Sequence, residues 1–148
     1  MALYSGRVGA CFWTCVTGGF SDVDARDFAE GIRRMGALTR ENDIVVLDVC
    51  YDIPLPKPMH RKLIADAVES IPDKSHVAGH ALVSNSTVAQ GVLTAINWFV
   101  KPDFPEKVFG DPAAALAWLN AQLPSLSPRR VLDAISRDVP EFDRLRWK

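Results

Sequence analysis

Asp48, Asp52 and His80 are the residues whose types suit acid–base chemistry in this chain. Asp48 lies inside the apolar run Ile44-Val-Val-Leu-Asp-Val-Cys50, where a carboxylate is costly to bury unless it is paired or hydrogen-bonded. A pocket that raised its pKa beside an imidazole would suit proton transfer. The plainer alternative is an acid near a strand end that bonds the backbone N–H groups of the next loop. No Gly-x-Ser-x-Gly elbow, phosphate-binding Gly-Lys-Ser/Thr loop or dinucleotide glycine signature accompanies these residues. The expectation is a protein without catalytic residues and without a cofactor.

Metal chemistry is expected to be absent as well. His76 and His80, like Cys11 and Cys15, are spaced i, i+4. On a helix that spacing would serve one ion. Both pairs fall on expected strands, where four residues span roughly 13 Å. The same distance prevents a Cys11–Cys15 disulfide without rearrangement. His60 stands alone at a helix start.

Binding residues are sought at loops that follow strands and precede helices. Three such loops are Gly18–Ser21, Cys50–Pro58 and Ser84–Thr87. In open α/β sheets that edge is where ligands bind, and helix N-termini favour anions. Gly19, Ser21, Asp52, Ser84, Asn85, Ser86 and Thr87 are the candidates for a shallow anion or carboxylate site. Ordinary helix capping explains the same residue types. Pro54, Pro56 and Pro58 hold an extended segment beside Tyr51 and Met59. That segment reads either as a preorganised docking surface, with Tyr51 and Pro56 in contact, or as a rigid connector.

The elements that must position these residues follow from periodicity and punctuation. Leu3–Val8 and Cys11–Thr17 read as strands, the second rich in aromatic and β-branched residues. Ser21 and Asp24 form a capping box for a helix with Phe28, Ile32 and Met35 on one face. Residues 44–50 read as a central strand. Met59, Leu63, Ile64, Ala67, Val68 and Ile71 outline the next helix, which Pro72 stops. His76–Ser84 is a strand. Asn85-Ser-Thr then caps a helix carrying Val88, Val92, Leu93, Ile96 and Phe99.

Lys107–Phe109 is a short strand. Asp111 caps residues 112–123, with Pro112 at the first helical position and Ala115, Leu116 and Leu119 as an apolar stripe. Trp98, Phe99 and Trp118 are expected in the core or at its margin. The order ββαβαβαβα predicts an α/β fold with a mixed sheet packed by helices.

Residues 1–123 form the expected domain and 124–148 a helical extension. Ser127 and Pro128 start its helix, and Val131, Leu132 and Ile135 line it. The tail carries six basic and four acidic residues, although the whole chain has a net charge of −1. That contrast predicts docking on its own domain or on a twin subunit. Trp13 sits opposite Phe12 and Thr14 on its strand. Were that face uncovered, Trp13 with Cys11 and Cys15, and Phe142 and Trp147 from the tail, would build a dimer interface. Packing within the chain is the alternative.

The region from the strand ending in Phe109, through the Asp111 cap, to Ala115-Leu-Ala-Trp-Leu119 resembles the SpoIIAA-like branch of the STAS fold. The element order over residues 2–123 fits the same resemblance. It implies a mixed sheet packed by helices, homodimers, and signalling by protein binding. Better-known members carry a phosphorylatable Ser or Thr after the third strand. Here Asp48-Val-Cys-Tyr-Asp-Ile-Pro-Leu-Pro-Lys-Pro58 has neither, so that switch is not carried over.

Composition bounds the remaining classes. The 148 residues suit one domain that needs no disulfide or metal staple. Hydrophobic residues make up 48% and charged residues 24%, as in soluble globular proteins. Near-neutral charge argues against nucleic acid or anionic lipid as partner. No run approaches the roughly 18 apolar residues of a membrane span. Three cysteines and the lack of a secretory leader predict a cytoplasmic protein with reduced thiols. The combined expectation is an interaction or regulatory module that binds protein partners, itself included. The alternative is a sensor or carrier of a small lipid or anionic metabolite.

Overall fold

The computed structural model describes residues 2–91 and 103–147. Five strands form one sheet in the order β1 (Ala2–Val8), β2 (Cys11–Thr17), β3 (Ile44–Tyr51), β4 (Val77–Ser84), β5 (Glu106–Phe109). β1 runs antiparallel to β2, and every later neighbour is parallel. Parallel neighbours require crossovers, which the helices supply. These are α1 (Asp22–Gly36) and α2 (Pro58–Glu69), and α3, helical over residues 87–91. Val92, Leu93, Ile96, Trp98 and Phe99 lie outside the described residues. α4 (Pro112–Gln122) and α5 (Pro128–Asp138) complete the chain. The mixed α/β sandwich expected from the element order is the observed architecture.

Local rules set the helix starts. Ser21 Oγ accepts from Asp24 N at 3.1 Å, and Asp24 Oδ2 accepts from Ser21 N at 2.9 Å, completing the capping box. Asp111 Oδ1 accepts from Ala114 N at 2.9 Å ahead of Pro112. His76 differs from the sequence expectation. It belongs to a 3₁₀ turn, Lys74–His76, because the Asp73 side chain caps that turn and delays the strand to Val77.

The period-two alternation of the strands divides the sheet into unlike faces. Cys11, Trp13, Cys15, Val45, Leu47, Val49, Ala81 and Val83 pack against Leu116 and Leu119 of α4 and Val131 and Ile135 of α5. The tail is therefore part of this core. Its hinge is held by Asn120 Nδ2, which donates to Leu126 O at 2.8 Å. Trp13 is 1% exposed and Phe142 7%, both within this cluster. Trp13 thus has no surface to present to a second copy, because α4 and α5 cover the face on which it stands. The opposite face meets α1 and α2 through a smaller cluster of Met35, Ile44, Ile71 and Val77, with Phe12, Ile32 and Val46 against it.

Candidate ligand-binding site

Four adjacent strands each place one polar side chain on the α1–α2 face. Thr14 of β2 is in register with Asp48 of β3, and His80 of β4 with Glu106 of β5. Val46 is the register partner of His80. Asp48 is two residues further along β3, on the same face, so imidazole and carboxylate meet diagonally. Thr14 Oγ1 donates to Asp48 Oδ1 at 2.6 Å. His80 Nε2 lies 2.5 Å from Asp48 Oδ2, and His80 Nδ1 lies 2.7 Å from Glu106 Oε2. The three ionisable side chains are 7% (Asp48), 16% (His80) and 13% (Glu106) exposed. Phe104 stands edge-on to the imidazole at 6.2 Å.

This geometry decides the state of His80. Burial disfavours its charge and is the largest single influence. The hydrogen bonds to Asp48 and Glu106, and the charges of both, outweigh it and raise the pKa from 6.5 to about 10. With both ring nitrogens facing carboxylates, both donate. An imidazolium held this way has no lone pair for a substrate proton. The group is a clamp across three strands, and the raised pKa disfavours a base role near neutral pH. The imidazole lies between its two carboxylates, so the three do not converge on one point. Among the described residues, no group of three or more His, Cys, Asp or Glu could hold a metal ion.

The Thr14–Asp48 end of this chain of bonds forms part of the floor of a cavity of about 360 Å³ between β1–β3 and α1. Leu3, Phe12, Phe28, Ile32, Met35 and Val46 supply apolar walls, and Arg7, Asp27 and Arg34 supply charges. Arg7 is steadied by its Nε–H donated to Gly9 O at 2.7 Å and by its place over the Phe12 ring. The volume falls within the ~300–1,000 Å³ of small-molecule sites.

The loop edge is built differently. Gly18, with φ 74°, turns the chain so that its N–H donates to Tyr51 O at 3.0 Å. Gly19 follows at φ 155° and leads into the Ser21 cap. Asp52 N donates to Asn85 Oδ1 at 2.9 Å, and Asn85 Nδ2 donates to Asp52 Oδ1 at 2.8 Å. That pairing takes Asp52 away from Asp48 and His80. Ser84 Oγ accepts from Ser86 N, and Ser86 Oγ caps α3 through Ala89 N. Thr87 is exposed on the first turn of α3, and Pro56 is half-buried. Tyr51 Oη accepts from Arg146 N at 3.2 Å, and Trp147 stands edge-on to the Tyr51 ring at 5.1 Å. Trp147 also contacts Phe142, so the tail aromatics pack within their own chain.

Thr14 and Glu106 were not singled out from the sequence. Their signal is only a polar residue at the inward parity of a strand, visible once the register is known. His60 is not alone: its Nε2 lies 2.7 Å from Asp22 Oδ1, pinning the starts of α1 and α2 together. Hydrogen bonding to His60 is the main influence holding the Asp22 carboxyl below its usual range. Burial disfavours the thiolate at all three cysteines. Burial first, and Asp48 second, push Cys11 up to about 12, and burial pushes Cys15 up to about 11. Burial likewise raises Cys50. His76 lies 3.5 Å from both Asp43 and Asp73 and shares no partner with His80.

A solved structure of an uncharacterized DUF3478-family protein from Shewanella loihica PV-4, described as having a SpoIIAA-like fold, superimposes on this chain with a TM-score of 0.52. The two are 18% identical over 80% of this chain and 92% of that one. The fold is SpoIIAA-like. Identity at this level speaks to the fold alone. No protein-family model and no curated protein matches the chain. Among the described residues, no helix of this SpoIIAA-like chain is long and apolar enough to cross a membrane.

Proposed function

We propose that this SpoIIAA-like chain is a non-enzymatic interaction module that binds a protein partner along the loop edge of its sheet. The observation that carries the reading is where the exposed large apolar side chains stand. Among the described residues these are Val23, Leu55, Met59 and Val88. Val23 and Met59 are in the first turns of α1 and α2, Val88 is in the first turn of α3, and Leu55 is in the loop entering α2. Isolated exposed apolar residues need no explanation, but several gathered at one rim mark contact surfaces. The Asp22–His60 bond and the Asp52–Asn85 pair join the three loops into one platform.

The locked imidazolium supports a role without bond-making. Tyr51 is engaged by the chain's own tail, so Leu55 and Met59 carry the contact in this reading. Phosphorylation of the β3–α2 loop has no part in it, because residues 52–57 contain no Ser or Thr. Three free thiols suit a cytoplasmic setting. A second copy of the chain is one candidate partner, through a two-fold contact of this edge.

Photo-crosslinking from position 59 in living cells tests the reading. A discrete adduct is expected, lost in a Leu55→Glu variant whose circular dichroism is unchanged. An adduct of twice the chain's mass would identify the partner as a second copy. No discrete adduct, or one indifferent to Leu55→Glu, would overturn the edge as the contact surface.

A further inference from the structure

We infer that the cavity under α1 is a second, separate binding site, and that it takes a small, mostly apolar molecule ending in a hydrogen-bond donor. The inference is independent of the loop edge. It rests on the direction of the bonds in the cavity floor. Both ring nitrogens of His80 face carboxylates, and in the imidazolium that this pairing favours both donate, so Asp48 accepts at Oδ2. Thr14 spends its only hydrogen on Asp48 Oδ1. What Thr14 and Asp48 can still offer the cavity is lone pairs alone. A hydroxyl or an amine satisfies them. A carboxylate or phosphate finds only acceptors on Thr14 and Asp48, and the cations of the lining, Arg7 and Arg34, are exposed side chains whose attraction water and salt screen. The anionic metabolite considered from the sequence therefore does not fit this floor. The walls, Phe12, Phe28, Ile32, Met35 and Val46 among them, require the rest of the ligand to be apolar.

A second observation concerns the mouth. Gly31 lines the cavity in the middle of α1, and a Cβ built there meets nothing within 4 Å. Mid-helix glycine is the weakest non-proline helix former. Its effect here is to leave open space on the helix face that covers the site. A Cβ at position 31 meets no packed neighbour, and a large side chain there would occupy that space.

The test uses three six-carbon probes with different ends: 1-hexanol, hexylamine and hexanoate. Each is titrated into ¹⁵N-labelled full-length protein at pH 7, and the backbone amides of Thr14 and Ile32 are followed by NMR. Hexanol and hexylamine should shift both amides saturably, with hexanoate at least tenfold weaker. Thr14→Val, which keeps the shape and removes the lone pairs, should narrow that discrimination. Gly31→Phe should abolish the shifts for all three probes while the remaining spectrum stays dispersed. Hexanoate binding as tightly as hexanol would overturn the donor requirement. No saturable shift with any probe, or shifts that survive Gly31→Phe, would overturn the site itself. Crosslinking at position 59 can succeed or fail without affecting either result.

Discussion

The two faces of the sheet are drawn from the same strands, yet they are different materials. The α4–α5 face carries Trp13, Leu47, Val49, Ala81 and Val83 and is sealed by Leu116, Leu119, Val131 and Ile135. The α1–α2 face carries Thr14, Asp48 and His80 and retains a cavity of about 360 Å³. One residue of strand parity separates a dry core from a polar, partly open one. The contrast teaches a division of labour. The closed face specifies and stabilises the fold through volume and area. The open face holds a few buried charges in fixed positions, and that order depends on pairing.

The contrast can be broken hardest at His80. His80→Ala leaves Asp48 and Glu106 buried without their shared partner. A loss of about 3–5 kcal/mol is expected in urea denaturation. On the closed face, Leu119→Ala should lower stability by about 2–5 kcal/mol, through lost transfer energy and the cavity left behind. It should leave the hexanol-induced shifts at Thr14 unchanged, which separates the two faces.

Proton linkage sharpens the comparison. The folded pKa of His80, about 10, lies above its unfolded value of 6.5. Its contribution to stability is therefore complete below pH 6.5 and is lost as pH rises towards 10. Between pH 6 and 8, stability should fall by up to about 1.4 kcal/mol per unit above 6.5. His80→Gln should flatten that slope. On the closed face the thiols of Cys11 and Cys15 are raised to about 12 and about 11, so neither ionises in this interval. The smallest effect is expected at the cavity mouth. Gly31→Ala should stabilise α1 by up to about 1 kcal/mol, read as a higher Tm, because the added methyl meets open space.

What was legible in the sequence is what local rules decide. The Ser21–Asp24 box and the Asp111-Pro112 start are written within four residues and lie where expected. The strands and their parity follow from alternation, and the SpoIIAA-like resemblance rested on element order. Asp48 and His80 were recognisable as a possible pair, but their common partners were not. Thr14 and Glu106 join them only through register across four strands, 34 and 26 residues away in sequence. Asp52 looked like a third member until the chain turned at φ 53° and Asn85 took it. Trp13 invited a dimer interface because nothing local shows that α5, more than a hundred residues later, lies over its face.

The central claim is that His80 is a charged clamp between Asp48 and Glu106 at neutral pH, on the face that holds the proposed cavity site. Long-range ¹H–¹⁵N NMR of the imidazole ring tests it directly. At pH 8 both ring nitrogens should show the shifts of protonated imidazolium nitrogens, with no titration near 6.5. A neutral tautomer at pH 8, with one unprotonated nitrogen and a midpoint near 6.5, would contradict the account.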